Sequence, residues 1–242
     1  MNICLFTQQE IKQPLSIKDE RAMHLIKILH KKEGDFFTAG EIGGSAGQAK
    51  IISIDKEKLE FEFFPKTNGK PLNPLVMIVG FPRPIQLKRL LRDISALGVC
   101  EVHLTGTELG EKSYMKSTIV EKGNAYKMLL DGTVQAGSTH VPELFLHNSL
   151  LECLEHLERD DFGTKIALDN INPACSLNQA HLVGDKKVVA AIGSERGWTD
   201  KERVLLEKKG YIRCGMGNRI MRTETAATVA GAIILNNLGC LQ

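Results

Sequence analysis

The stretch GMGNRIMRTETAATVAGAIIL, residues 215–235, joins a crowded polar segment to an apolar helix without a break. In its second half, apolar residues recur at helical spacing, at Ala226, Val229, Ala230, Ile233 and Ile234. This periodicity predicts a helix with one apolar stripe of small and branched side chains. The stripe either belongs to the core or, because small residues allow close approach, forms the contact of a homodimer.

The polar first half of the stretch carries Arg219 and Arg222 ahead of the helix. Thr223 suits the N-cap and Glu224 suits the positive start of a helix, so both have a structural explanation. The two arginines do not, because a cation is disfavoured at a helix N-terminus. Their presence predicts an anionic or carbonyl-rich ligand, and the alternative is a solvated charged turn.

Outward from this stretch, strand patterns such as "LVMIVGF", "KIALD", "VVAAIG" and "YIRCG" alternate with helical ones. Continuous apolar runs of this length predict an α/β domain with a mostly parallel sheet. Ligands of such sheets lie at the carboxyl ends of the strands, where the loop 193–197 is found. Its two glycines would let a ligand approach backbone amides, although a plain turn uses glycines too. Thr199 and Glu202 are spaced as a capping box, which fixes the start of the next helix.

The first 70 residues have a different pattern, one amphipathic helix followed by short β-prone segments. The helix in "DERAMHLIKILHKKEGD" is expected to end near Gly34, and "KLEFEFF" alternates apolar and charged residues like a half-buried strand. The segment "PKTNGKPLNP", residues 65–74, is the best linker candidate in the chain. We therefore predict a small β-barrel domain over residues 1–70 and an α/β domain over residues 71–242.

Composition narrows the class of protein further. Lysine and arginine number 31 against 29 aspartates and glutamates, so charge alone gives only a weak indication of an anionic partner and suits most soluble proteins equally well. The six cysteines form no CxxC pair and no zinc-type spacing with histidine, which predicts reduced thiols and no metal site. The apolar runs fall far short of the ~20 residues of a membrane span, and the N-terminus lacks a signal pattern. We expect a cytoplasmic protein that does not enter a membrane.

Two motifs of the second domain resemble those of a known family. "IGSERGWTDKE", residues 192–202, is similar to IGPEGG-x-x-x-x-E, and "MGNRIMRTETAA", residues 216–227, is similar to LG-x-R-I-L-R-T-E-T-A. These are signatures of the RsmE family of ribosomal RNA methyltransferases, in the SPOUT superfamily. "HLIKILHKKEGD", "LLRDISALGVCEVHL" and "QAGSTHVPEL" are similar too, so the resemblance spans nearly the whole chain. It implies an N-terminal PUA-like β-barrel and a C-terminal α/β methyltransferase domain with a trefoil knot that dimerises.

The resemblance also implies a cofactor and a reaction. S-adenosylmethionine would bind in the knot through three loops, and its methyl group would pass to N3 of a uridine in 16S ribosomal RNA of the small subunit. Carried onto this chain, the cofactor-binding residues are Leu168, Ile192, Gly193, Gly197, Met216, Gly217, Arg219, Ile220 and Met221. A guanidinium offers two donors to an anionic imide, so Arg222 is the candidate for charge stabilisation. Glu224 or Glu195 is the candidate proton acceptor.

Phosphate contacts are expected from basic residues of both domains, although a charged helix face is often only solvated. These candidates are Lys27, Lys31, Lys32, Arg83, Lys88, Arg89 and Arg92. The chain departs from the family pattern at His30 and Leu109, where arginines are usual. Without these two arginines the chain would lose contacts to RNA, whereas a cofactor pocket lined by backbone groups would be unaffected. Two alternatives stay open: a SPOUT methyltransferase with another RNA target, and a cofactor-binding RNA-interaction protein with little turnover.

Overall fold

The computed structural model describes residues 2–121, 123–158, 161–183 and 186–241 of the chain. The predicted domains and helices include four residues that lie outside the described part of the chain, namely Met1, Lys122, Arg159 and Gln242. The chain forms two compact units, residues 1–71 with 131–141 and residues 72–130 with 142–242. The predicted division differs in one respect, since it assigns 131–141 to the second domain. Helical periodicity could not show this, because it does not reveal which core a segment packs against.

The first unit is built on a five-stranded sheet with the strand order β1-β3-β4-β5-β2. Its strands are β1 (Cys4–Phe6), β2 (Leu15–Ser16), β3 (Phe36–Glu41), β4 (Ala46–Ile54) and β5 (Lys58–Thr67). β1 pairs with β3 in parallel and the other neighbours are antiparallel. Phe6, Leu25, Ile51 and Leu59 form the centre of its buried core. The short strands β1 and β2 carry too few residues to show a pattern in the sequence.

The helix of the first unit ends earlier than predicted. α1 (Glu20–Met23) continues as a π-helical turn over His24–Ile28, and Leu29 is its C-cap. His30 follows with φ of +53°, in the left-handed region, so the chain has left the helix before Gly34. Leu29, at the point where the helix ends, is 45% exposed.

The segment 131–141 is joined to the first unit by main-chain and side-chain hydrogen bonds. The Thr139 hydroxyl donates to the Gly44 carbonyl oxygen at 2.8 Å, and the Gly43 amide donates to the Thr139 carbonyl oxygen at 2.8 Å. A Cβ added at Gly40 would lie 2.5 Å from Cγ2 of Thr139, so the strand needs glycine for this approach. The first unit is therefore assembled from two separate stretches of the chain.

The second unit is a seven-stranded sheet in the order β10-β12-β9-β11-β6-β7-β8, with parallel pairing between all described neighbours. The strands are β6 (Asn73–Gly80), β7 (Val99–Thr105), β8 (Glu143–His147), β9 (Thr164–Leu168), β10 (Cys175–Ser176), β11 (Val188–Ile192) and β12 (Ile212–Gly215). The helices are α2 (Pro84–Ala96), α3 (Lys112–Met115), α4 (Thr118–Glu121), α5 (Asn124–Ala136), α6 (Leu150–Leu157), α7 (Asp200–Lys208) and α8 (Thr223–Asn237). Residues 131–136 at the end of α5 belong to the first unit. The predicted mostly parallel sheet is confirmed.

Helices cover both faces of this sheet. Alternate residues of β6 point to opposite faces, and each set lies near a different group of helices. Val76 and Ile78 belong to a core cluster with side chains of α6 and α7. Leu75 and Met77 lie on the other face, near Gly231 of α8. All of β11 is buried, as a central strand with both faces covered requires. Along the described part of the chain, each helix is too short or too polar to cross a membrane.

Candidate active site

A cleft of about 280 Å³ lies in the second unit at the carboxyl ends of β9, β11 and β12. These strands are neighbours, so the loops that follow them meet at one edge of the sheet. The cleft-lining residues that were predicted to bind the cofactor are Leu168, Ile192, Gly193, Gly197, Met216, Ile220 and Met221. Gly217 and Arg219 are exposed and are absent from the lining formed by the described residues.

The loop after β11 is held by a capping box where it enters α7 and by a hydrogen bond within its turn. The predicted capping box is present, with the Thr199 hydroxyl accepting from the Glu202 amide and the Glu202 carboxylate accepting from the Thr199 amide. At its centre the Gly197 amide donates to the Ser194 carbonyl oxygen at 2.9 Å, and Gly197 has φ of +73°. Glycine adopts this conformation without strain, so the loop can turn tightly beside the cleft.

The Trp198 side chain connects the loop after β11 to the end of β9. Its ring is buried, and the indole Nε1 donates to the Leu168 carbonyl oxygen at 3.0 Å. β6 approaches the same loop closely, since a Cβ added at Gly80 would lie 2.6 Å from the Ser194 amide nitrogen. The cleft is therefore formed by backbone segments that are packed against each other.

Ser194 lines the cleft and carries a buried hydroxyl. Its side-chain oxygen is buried and has no hydrogen-bond partner among the described residues. Burying a hydroxyl without a partner costs about 1–3 kcal/mol, so such a group is commonly satisfied by a ligand or by water. Together with the apolar Leu168, Ile192 and Ala226 and the glycine-rich backbone, this hydroxyl fits a ligand that is partly apolar and partly polar, as S-adenosylmethionine is.

An ion-pair network beside the cleft was missed by the sequence interpretation. Arg203 Nε donates to Asp169 Oδ2 at 2.7 Å, and Arg213 Nη1 donates to the same oxygen at 3.3 Å. Burial raises the pKa of Asp169, but the hydrogen bonds and charge of Arg203 outweigh it, so the pKa lies below its ordinary value. The network joins the end of β9 to α7 and β12. Asp169 could have been noticed because it directly follows a buried strand.

The start of α8 differs from the prediction. The N-cap is Arg222, without a side-chain capping bond, and Thr223 is the first helical residue. The Thr223 hydroxyl instead donates a hydrogen bond of 3.5 Å to the Gly193 carbonyl oxygen, so it does not cap the helix. Arg222 is exposed and follows the cleft-lining Met221 directly. Glu224 is 6% exposed and is absent from the cleft lining formed by the described residues.

Glu195, the other candidate proton acceptor, lines the cleft. Its Oε2 lies 3.3 Å from Nε of Arg83, with side-chain exposures of 35% and 62%. Arg83 is the N-cap residue of α2 and was predicted to contact phosphate. The structure therefore brings together two residues that the sequence interpretation had placed in different roles.

The other predicted RNA-contacting residues lie on exposed surfaces of each unit. In the first unit Lys27 and Lys32 are exposed and Lys31 is half-buried. In the second unit the polar face of α2 carries the exposed residues Lys88, Arg89 and Arg92. Arg89 Nε lies 3.6 Å from the Asp93 carboxylate one turn further along the same helix. Exposed pairs of this kind bind weakly, so Arg89 remains available to a phosphate.

Family comparisons agree with this arrangement. A model described as an RNA methyltransferase domain matches residues 68–235, and one described as an RNA methyltransferase PUA domain matches residues 17–64. The ribosomal RNA small subunit methyltransferase E of Treponema pallidum is 42% identical over 245 aligned residues, which cover 98% of this chain and 91% of the relative. The chain belongs to the RsmE family.

A further relative and two solved structures extend the comparison. The ribosomal RNA small subunit methyltransferase E 1 of Borreliella burgdorferi is 32% identical, with 97% of each chain covered. A crystal structure of the Neisseria gonorrhoeae methyltransferase E bound to S-adenosyl methionine has a TM-score of 0.77 at 22% identity, covering 98% of this chain and 97% of that one. A methyltransferase from Legionella pneumophila in complex with the cofactor has a TM-score of 0.74 at 19% identity, covering 98% and 97%. The predicted fold, a PUA-like unit followed by a SPOUT methyltransferase domain, is confirmed.

Proposed function

We propose that this protein transfers the methyl group of S-adenosylmethionine to N3 of a uridine in 16S ribosomal RNA. The observation that carries the proposal is the cleft at the ends of β9, β11 and β12, which is lined by both motifs of the RsmE family. Its relatives are named ribosomal RNA small subunit methyltransferases, and two structural neighbours were crystallised with this cofactor.

The reaction needs little covalent chemistry from the protein. The cofactor supplies an electrophilic methyl carbon, and its carbon–sulfur bond breaks as the N3–carbon bond forms. The uridine must lose its N3 proton, and negative charge then spreads onto the two flanking carbonyl oxygens. The protein therefore has to align the base, accept the proton and stabilise that charge.

Arg222 and Glu195 are the residues that we propose for these tasks. Arg222 is exposed beside the cleft, where its guanidinium can donate two hydrogen bonds to the anionic imide. Glu195 lines the cleft, so its carboxylate can receive the N3 proton directly or through one water molecule. Glu224 is the weaker candidate because it is buried in the first turn of α8.

The RNA must present its base to this cleft, so the uridine has to be unpaired and splayed out of its strand. We propose that the exposed lysines and arginines of both units contact phosphates and position the RNA without reading its sequence. Val229 and Ile233 lie one turn apart on α8 and are only half-buried, which supports a homodimer contact there. Because ribosomal RNA is the substrate, we propose a cytoplasmic location.

Mass spectrometry of ribosomal RNA nucleosides tests this function. Deleting the gene should remove 3-methyluridine from 16S ribosomal RNA, and the native gene should restore it. Complementation with Arg222→Ala should fail, whereas Lys201→Ala, an exposed change on α7, should restore the modification. An unchanged 3-methyluridine level would contradict this target. The loss of another methylated nucleoside would assign a different RNA substrate, and an unchanged RNA would favour a cofactor-binding protein with little turnover.

A further inference from the structure

The second unit contains a buried cluster of metal-ligating side chains on elements that do not form the cofactor cleft. We propose that His103, His147, Cys153 and His156 bind a zinc ion that links β7, β8 and α6. Sequence spacing predicted no metal site, because these residues lie far apart along the chain or on one helix. The fold brings them together, and each step of the assignment follows from their geometry.

The sheet register sets the two central histidines side by side. His103 of β7 is paired with Phe145 of β8, and His147 lies two residues further along β8 on the same face. Nδ1 of His103 is 3.0 Å from Nε2 of His147, and both rings are buried. α6 packs over this face and adds the buried Cys153. One ligand atom from each of the three residues lies within 4.8 Å of the others.

These separations are close to those of a zinc site. Zn–N and Zn–S bonds of ~2.0–2.3 Å in a tetrahedron place ligand atoms roughly 3.3–3.8 Å apart. Closing the cluster around an ion therefore needs side-chain shifts of about 1 Å, which rotation about χ angles can supply. Two imidazole nitrogens and a thiolate form a borderline-soft ligand set, which suits Zn²⁺ rather than Mg²⁺ or Ca²⁺.

His156 supplies the fourth ligand. It lies three residues after Cys153 on α6, so both side chains are on the same helix face. The centroid of its ring is 5.3 Å from that of His147 and 5.6 Å from that of His103. The His156 residue is exposed, and its ring packs against Phe145 at a centroid distance of 5.0 Å, so a change of its side-chain rotamer is the step that would complete a tetrahedral His₃Cys site.

Glu101 provides the outer partner that a metal-binding histidine usually has. Its Oε2 is 3.4 Å from Nε2 of His103, while its other oxygen pairs with Lys187. An ionised carboxylate can only accept, so Nε2 of His103 carries the proton and Nδ1 presents its lone pair to the cluster. Carboxylate–histidine–zinc arrangements orient the ligand in this way.

A core without an ion is the competing explanation. In it, Nε2 of His147 donates to Nδ1 of His103, and Cys153 is a buried apolar residue whose thiol pKa burial raises to about 12. That raised pKa opposes thiolate formation in the absence of an ion, but a coordinating divalent cation deprotonates a thiol outright. The site is also reachable, because His147 lines a separate cavity of about 450 Å³.

Cobalt titration of the full-length, chelator-treated protein tests the proposal. We expect one equivalent of Co²⁺ to bind with a thiolate-to-cobalt charge-transfer band and tetrahedral ligand-field bands, and Zn²⁺ to displace it. Cys153→Ala should abolish the charge-transfer band, whereas Cys240→Ser, a change near the C-terminus, should keep it. Absence of that band in the native protein, or its persistence in Cys153→Ala, would overturn the assignment.

His156→Ala keeps the test independent of folding, because the residue is exposed. Loss of an outer partner of a metal ligand typically weakens metal binding about 10–100-fold. Loss of the His156 ligand itself should weaken zinc binding by at least this factor. Zinc should also raise the melting temperature of the native protein and leave that of His147→Ala unchanged. Unaltered zinc affinity in His156→Ala, or equal stabilisation of His147→Ala, would contradict the four-ligand site.

Discussion

The indole nitrogen of Trp198 donates a hydrogen bond to the carbonyl oxygen of Leu168 at 3.0 Å. Trp198 belongs to the loop after β11 and Leu168 ends β9, so this bond joins two of the three loops that line the cleft. Both groups are buried, and neither can exchange its partner for water at low cost. The Trp198 side chain therefore contributes to the spacing of the cleft walls.

Trp198→Phe should widen the cleft and weaken cofactor binding. The variant keeps an aromatic ring but leaves the Leu168 oxygen unpaired, at a cost of about 1–3 kcal/mol in stability. We expect S-adenosylmethionine affinity to fall about tenfold by calorimetry, as a loss of about 1.4 kcal/mol implies. Tyr211→Phe is the control, because it changes a buried ring of the same core cluster that does not line the cleft. Equal affinity losses in both variants would show a general stability effect.

Ser194→Ala should have opposite effects on stability and on binding. The Ser194 hydroxyl is buried without a partner among the described residues, so its removal should leave the melting temperature of the free protein unchanged or raise it. If the hydroxyl bonds to the cofactor, affinity should fall about 2–10-fold, corresponding to ~0.5–1.5 kcal/mol. Ser117 has a comparable buried hydroxyl away from the cleft, so Ser117→Ala should not change affinity. A destabilised Ser194→Ala protein with unchanged affinity would contradict this role.

Arg222→Ala should slow methyl transfer while cofactor binding persists. Arg222 is exposed and directly follows the cleft-lining Met221, and we propose that it acts on the base rather than on the cofactor. Loss of one donor to a developing anion lowers kcat about 10²–10³-fold. Single-turnover assays with ribosomal subunits and radiolabelled cofactor would measure this. Arg222→Lys, which retains charge but not the fork of donors, should give an intermediate rate, and an unaffected rate in Arg222→Ala would exclude the proposed role.

Asp169→Asn should destabilise the second unit, and the effect should depend on pH. Its carboxylate is buried and holds Arg203 and Arg213, so its loss should cost about 1.5–3 kcal/mol at pH 7, as for a hydrogen bond to a charged group. A carboxylate with a lowered folded pKa stabilises the fold above its unfolded pKa of about 3.9 and loses this stabilisation as the pH falls through the folded pKa. Urea unfolding should therefore show a difference between native and variant that shrinks below about pH 4. Asp200→Asn, at an exposed partner of Arg203, should have little effect at either pH.

Much of the second unit could be predicted from the sequence because its signals are local. β11 is an uninterrupted apolar run, the capping box of Thr199 and Glu202 lies within four residues, and Gly210 follows α7 with φ of +81°. Short strands such as β1 and β10 carry no such signal, and their positions depend on partners elsewhere in the chain.

The candidate site could be predicted because ligands of parallel sheets bind at the carboxyl ends of strands and because the loop 193–197 contains two glycines. Contacts between segments that are distant in sequence could not be predicted in this way. Asp169 is 34 residues from Arg203 in sequence, and nothing local indicates their pairing. Glu108, next to the departure at Leu109, accepts a hydrogen bond from the Thr199 hydroxyl at 2.7 Å, although the two residues are 91 positions apart.

The two hydrogen bonds between Thr139 and the Gly43–Gly44 turn have a consequence for synthesis of the chain. The first unit lacks a part until the ribosome has translated through residue 141, well into the second unit. Domains usually fold in order from the N-terminus as they emerge, and this chain cannot complete its first unit in that order. For the same reason, residues 1–71 are not a transferable module, and a fusion that borrows them alone would leave the Gly44 carbonyl oxygen without the Thr139 hydroxyl.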